Sequence, residues 1–197
     1  MSKSKGKSPK VLDLFAGAGG FSLGFSQAGF RIVGAVEQDK WACETIAANH
    51  EGTKVLQRDI EAIPDDEFKD VFAKQKPDVI IGGPPCQGFS ICNRNAGDTK
   101  DPRNSLFREF IRAGRIFEPK VMIMENVPNL LKARTHGGTL VIDIIRNELM
   151  ALGYHVNHAV LVQRLADGEV GDPGPGLDIH GPHAVHAGPR AVNSDVG

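Results

Sequence analysis

The sequence predicts a doubly wound α/β domain with a mostly parallel sheet, and three observations carry that prediction. Short apolar runs alternate with amphipathic stretches from residue 10 to about 162. The runs are apolar on both faces, as strands covered by helices on either side must be. Glycine- or proline-rich turns close the runs, and in such sheets ligands sit outside the carboxyl ends of the strands.

Taken in order, Val11–Phe15 is a compact apolar run broken only by Asp13, followed by a glycine-rich turn. Phe21–Ala28 reads as a helix ended by Gly29, Arg31–Val36 as a strand and Lys40–Asn49 as a helix. Lys54–Leu56 is a short strand, and Asp78–Ile81 a buried one stopped by Gly82-Gly83-Pro84-Pro85. Ser105–Ile116 has helical periodicity, and Val121–Met124 is a buried strand ended by Glu125-Asn126 and Pro128. Gly138–Leu152 reads as a helix closed by Gly153, and Tyr154–Val162 has strand character. The loops after Phe15, Val36, Ile81 and Met124 should therefore share one rim.

Length fits one domain, residues 10–162, preceded by a flexible basic arm over 1–9. The lysines of that arm, with Lys10, are spaced by Ser and Gly and read as solvated. A net charge of −1 excludes a chain that is basic throughout, but leaves a local binding groove open. Three cysteines without CxxC spacing exclude a disulfide framework or zinc site and suit a reducing compartment. No apolar run approaches a membrane span, so a cytoplasmic or nucleoid-associated protein is expected. From Arg164 onward there is no Lys, Phe, Tyr, Trp, Met or Cys, and Gly, Pro, Asp and His dominate. Residues 163–197 are accordingly expected to form a tail without regular structure. The spacing of His180, His183 and His186 there lacks a packed surrounding, and no metal is expected.

Three constellations carry chemistry. In Asp13-Leu14-Phe15-Ala16-Gly17-Ala18-Gly19-Gly20 the glycines let the backbone turn tightly and approach a ligand. Glu37 closes the next strand, where a carboxylate can accept ribose hydroxyls, so the pair points to a nucleoside-containing cofactor. Asp59, past the third strand, could reach an adenine amino group or simply cap a loop. In Gly82-Gly83-Pro84-Pro85-Cys86-Gln87-Gly88-Phe89-Ser90 a cysteine follows a rigid Pro-Pro turn, well placed as a nucleophile. Cys43 and Cys92 read as small buried hydrophobes. Glu125, at the end of a buried strand, should have a raised pKa and could donate a proton, or it could cap a helix or pair with a cation.

Together, in this order and spacing, the stretches at 13–20, 82–90 and 125–127 resemble the motifs of the cytosine-5 DNA methyltransferases. Arg103-Asn104-Ser105-Leu106-Phe107 resembles the family's stretch between the last two. The resemblance covers residues 10 to about 162 and implies a Rossmann-like, S-adenosylmethionine-dependent domain. It implies a cofactor-binding set of Phe15, Ala16, Gly17, Gly19, Gly20, Glu37, Asp59, Ile60 and Pro85. Phe15 would stack on the adenine, Glu37 hold the ribose, Asp59 and Ile60 flank the adenine, and Gly17 and Gly19 line the methionine end. Cys86 and Glu125 would be catalytic, acting on a cytosine flipped out of DNA.

The departures are as specific. The family's Gln-x-Arg-x-Arg segment is replaced by Gln163-Arg164-Leu165-Ala166-Asp167, and no target-recognition domain follows. The strand that pairs near the last one is expected to be missing, leaving an open sheet edge. The resemblance thus implies a C-terminally truncated catalytic domain, weakly active or inactive alone. The alternatives are one subunit of a split enzyme whose second chain brings the recognition domain, a non-enzymatic S-adenosylmethionine-binding remnant, and a tRNA cytosine-5 methyltransferase.

Overall fold

The computed structural model describes residues 7–85, 106–135, 137–161 and 183–189. Strands β1 (Lys10–Leu14), β2 (Arg31–Glu37), β3 (Lys54–Gln57), β4 (Val79–Gly82) and β5 (Val121–Asn126) form a parallel array. β6 (Tyr154–Val160) and β7 (His183–Pro189) complete a seven-stranded sheet in the order β3-β2-β1-β4-β5-β7-β6. The helices are α1 (Gly20–Gln27), α2 (Lys40–Asn49), α3 (Asp65–Phe72), α4 (Leu106–Phe117) and α5 (Val141–Ala151). The predicted doubly wound α/β class is the class observed.

Alternation along the strands sorts the two faces. Leu12, Leu14, Ile80, Met122 and Met124 point into the larger core with Phe68 and Phe72 of α3, Phe110 of α4 and Ile145 of α5. Phe68, Phe72 and Phe117 pack edge-on there, with centroids 5.1–6.1 Å apart. Val11, Val79 and Ile81 face the other way, under Phe21 and Phe25 of α1, and Ala35 meets Ile46 of α2. α1 and α2 thus cover one face and α3 to α5 the other. The chain leaves β1 toward β2 on one side and returns to β4 on the other, so the crevice opens at the carboxyl ends of β1 and β4.

Two corrections to the sequence reading follow. Residues between Gln57 and Val79 carry a helix, α3, that the reading left unassigned. Its signal was present: Pro64, then Asp65, Asp66 and Glu67 in the first turn, then Phe68 and Phe72 four apart. The second correction concerns the tail and the open edge. His183–Pro189 pair antiparallel with both β5 and β6, so β5 has its neighbour and this part of the tail is a strand. The physical reason is that a ladder is made by backbone N–H and C=O groups, which a segment poor in core-forming residues still supplies.

Boundaries differ by one to three residues elsewhere. α5 starts at Val141 rather than Gly138, because Thr135 and Thr139 close a turn (Thr135 N–H to Thr139 O, 2.9 Å) just before it. No helix among the described residues is long and apolar enough to cross a membrane.

Candidate active site

The end of β1 sets the site. Phe15 has φ of 57°, a conformation costly for a side chain of this size and characteristic of functional turns. Ala16 N–H donates to Val36 O (3.3 Å), pulling the turn against the end of β2. Gly17 (φ 52°) then donates its N–H to Glu37 Oε2 at 2.9 Å. The other oxygen, Oε1, accepts from Gln38 N–H (2.8 Å) and Asp39 N–H (2.9 Å). Asp39 caps α2 through Ala42 N–H (2.8 Å). At Gly19, where φ is 86°, a Cβ would stand 3.0 Å from His50 Nε2 and 3.2 Å from Ile46 Cγ1. Glycine is required there by conformation and by space.

A cavity of about 340 Å³ opens on this rim, lined by Phe15, Glu37, Gln38, Arg58, Asp59, Ile60, Gly83, Pro85 and Leu106 among others. Five of the residues singled out from sequence, Phe15, Glu37, Asp59, Ile60 and Pro85, meet in it although they come from four separate loops. Asp59 also caps the short 3-10 turn Ile60–Ala62, accepting from Glu61 N–H at 3.0 Å. A carboxylate offers about four acceptor positions. Glu37 has three filled by backbone N–H groups, so a ribose would take the remaining one or displace the flanking turn.

A second cavity, about 610 Å³, adjoins the first through Phe15 and Gly83, which line both. Its walls include Asp13, Ala16, Phe21, Phe25, Ile123 and Glu125. Burial pushes the Glu125 carboxyl above the usual carboxylate range, as the sequence suggested, which favours a form able to donate a proton. Glu125 Oε2 lies 3.1 Å from where a Cβ on Gly83 would be, so that glycine keeps the space before the carboxyl open. Neither cavity counts Gly17, Gly19 or Gly20 among its lining residues; these act through the turn and the start of α1. Cys86 lies outside the described residues, as does Cys92. Cys43 is buried, donates to Glu37 O (3.4 Å), and burial with the Glu37 and Asp39 charges pushes its thiol up. It is a poor nucleophile.

Some site residues escaped the sequence reading. Buried Asn126 donates Nδ2–H to Pro84 O (2.8 Å) and accepts from Val127 N–H (2.9 Å), tying β5 to the Pro-Pro turn that leads to Cys86. Its position beside Glu125 was the available signal. Gln38 and Arg58 line the first cavity, and only their adjacency to singled-out residues could have found them; Leu106, from the stretch 103–107 already noted, lines it too.

Asp13 is almost wholly buried and accepts a 2.6 Å bond from the buried Ser22 hydroxyl on α1. Burial pushes its carboxyl up to about 7; the Ser22 bonds oppose that rise and the Glu37 charge adds to it. The folded protein therefore holds this proton at pH values where the unfolded chain, near 3.8, has released it. More protons are bound in the fold, so this contribution to stability is full below about pH 4 and is lost as pH rises toward about 7. Asp13→Asn is expected to flatten that part of the stability curve, measured by urea unfolding between pH 4 and 8. An unchanged slope would assign the dependence elsewhere.

A doubly wound sheet with paired cavities at its switch point is the architecture of the α/β methyltransferases, and comparison with solved structures agrees. A prophage-encoded DNA modification methyltransferase from E. coli superposes with a TM-score of 0.71 at 29% identity, over 96% of this chain and 49% of that one. DNMT2 of Spodoptera frugiperda shares the fold (TM-score 0.65, 23% identity, 96% and 52% covered). The profile of the C-5 cytosine-specific DNA methylases matches residues 9–165, and this chain belongs to that family. Type II methyltransferase M.DdeI of Desulfomicrobium norvegicum is 44% identical over 146 residues, 74% of this chain and 34% of that protein. M1.HphI of Haemophilus parahaemolyticus is 44% identical over 152 residues, 76% and 40%. The chain thus spans little more than a third of the length of these relatives.

Proposed function

We propose that this chain provides the cofactor-binding and catalytic part of a DNA cytosine-5 methyltransferase. The observation that carries the reading is the pair of adjoining cavities, one walled by Glu37, Asp59 and Ile60 and the other by Asp13 and Glu125, with Phe15 and Gly83 between them. The first suits an adenosine: a carboxylate for ribose, Asp59 for an amino group, and the Phe15 ring and Ile60 for the faces of the base. The second suits a flipped pyrimidine brought to the methyl end. S-adenosylmethionine, when bound, supplies an electrophilic methyl group on a sulfonium.

The chain's residues would do the rest. C5 of cytosine is too poor a nucleophile to take a methyl group unaided. The Cys86 thiolate adds to C6, and the ring electrons displaced by that bond make C5 an enamine carbon. Glu125, whose carboxyl burial pushes above the usual carboxylate range, would hydrogen-bond N3 and the exocyclic amine and offset the negative charge that develops on the ring. With the methyl donor bound, C5 would take the methyl group as the S–CH3 bond breaks and the neutral thioether S-adenosylhomocysteine leaves. A base would then remove the C5 proton, and the electron pair left behind would restore the C5–C6 double bond and expel the Cys86 thiolate. Asn126, holding Pro84, positions the turn before the nucleophile.

The experiment that tests this reading is transfer of labelled methyl groups from S-adenosylmethionine to unmethylated DNA, with a tRNA pool in parallel and cofactor binding measured by calorimetry. Label at C5 of DNA cytosine means the chain is competent alone. Cofactor binding without label on either nucleic acid favours dependence on a second chain, or a binding remnant. Label on tRNA alone would overturn the DNA reading.

A further inference from the structure

The wall of the first cavity is held from two sides. The 3-10 turn Ile60–Ala62, which follows Asp59 and brings Ile60 to the cavity, is tied locally by Asp59 and by Arg58, whose Nη2–H donates to Ala62 O (2.8 Å). It is gripped from α4 by Arg112, whose guanidinium fork is filled from four directions. Nη2–H donates to Ile60 O (2.8 Å) and Nη1–H to Ile63 O (3.0 Å), the two carbonyls that bracket the turn. Nη1–H also reaches Asp65 Oδ1 (2.7 Å), Nε–H reaches Glu109 Oε2 (2.6 Å), and the plane lies over Phe68 at 5.6 Å. The Arg112 bond holds the Asp65 carboxyl below its usual range, so that pair stays charged. Arg112 is well covered, with 15% of its side chain exposed, whereas Arg115, which shares Asp65, is 63% exposed. α4 itself delivers Leu106 to the same cavity.

We propose that Arg112 is a positioning residue for adenine recognition: its fork locks the Asp59–Ile63 turn to α4, so that Asp59, Ile60 and Leu106 meet one base in one geometry. The inference rests on reading the first cavity as the adenosyl site. Asp59 is the group that would accept a hydrogen bond from an adenine amine, and it would face a carbonyl oxygen unfavourably. Loosening the turn must therefore cost selectivity at the base, not only affinity. A lysine at 112 keeps a positive charge for Asp65 and Glu109 but, as a point charge on a flexible stem, cannot bracket two carbonyls in a plane.

The test measures calorimetric Kd values for S-adenosylhomocysteine and S-inosylhomocysteine on the full chain, well below each variant's melting midpoint. The proteins are the wild type, Arg112→Lys and Asp65→Asn. Arg112→Met, which keeps packing over Phe68, stands in if the lysine variant does not fold. Wild type should prefer the adenosyl ligand. Arg112→Lys should bind it on the order of tenfold more weakly, with the inosyl ligand little changed, as misplacement of a binding group predicts. Asp65→Asn keeps both carbonyl bonds and should retain the preference. Equal weakening of both ligands, or an unchanged preference in Arg112→Lys, would overturn the proposal while leaving the adenosyl site intact. Failure of the wild type to bind either ligand would overturn the adenosyl reading and this inference with it.

Discussion

Glu37→Ala is expected to weaken S-adenosylmethionine binding by about 2–5 kcal/mol, roughly thirty- to several-thousand-fold in Kd. Two losses combine. The ribose loses its acceptor, and the N–H groups of Gly17, Gln38 and Asp39 lose theirs. The Gly17 bond, spanning 20 positions, keeps the turn after β1 against the end of β2, so its removal also loosens the Phe15 side of the cavity. Glu37→Gln, which still offers one carbonyl oxygen, should fall between the two. Calorimetric titration of the full chain checks this. An alanine variant that binds like the wild type would remove Glu37 from the site.

Cys86→Ser should abolish methyl transfer, by at least about a thousandfold, while leaving cofactor binding unchanged. A serine hydroxyl is scarcely ionised at neutral pH, so the addition to C6 that makes C5 nucleophilic does not begin. The substitution leaves the described lining of the first cavity, Phe15, Glu37, Asp59 and Ile60 among it, unaltered, which is why binding should be spared. The assay is labelled methyl transfer in whichever assembly shows activity, with cofactor titration beside it. Full transfer by the serine variant would rule out the covalent mechanism; loss of cofactor binding would mean that the substitution disturbs Pro85 and the wall it forms.

Both residues were singled out because each follows an apolar run, where a strand hands over to a loop; the structure places Glu37 at the end of β2, and Cys86 lies outside the described residues. The same logic located Phe15, Asp59, Glu125 and the turn at Pro84-Pro85, since strand ends of a parallel sheet converge on one rim. Asp13 illustrates the limit. Its place inside an apolar run was plain, but its bond to Ser22 depends on how α1 lies back over β1, and its raised pKa depends on burial. Arg112 was less legible still: on sequence it is one charge on an amphipathic helix, and its carbonyl partners lie 49 and 52 positions earlier. α3 was missed although its pattern is regular, because one aromatic pair amid acidic residues is a weak stripe.

What the sequence by itself determined is local and periodic: the alternation of strand and helix, the glycine turn after β1, the Pro-Pro turn after β4, and the chemistry each strand end offers. Those follow from backbone sterics and apolar periodicity within a few residues. Only the tertiary structure decided that Phe15 and Gly83 divide two cavities, that α4 reaches back to brace the turn after β3, and that His183–Pro189 enter the sheet between β5 and β6. Each is a contact between distant segments, set by how helices pack on the sheet or by backbone pairing that any side chains can accompany, so no local pattern records it.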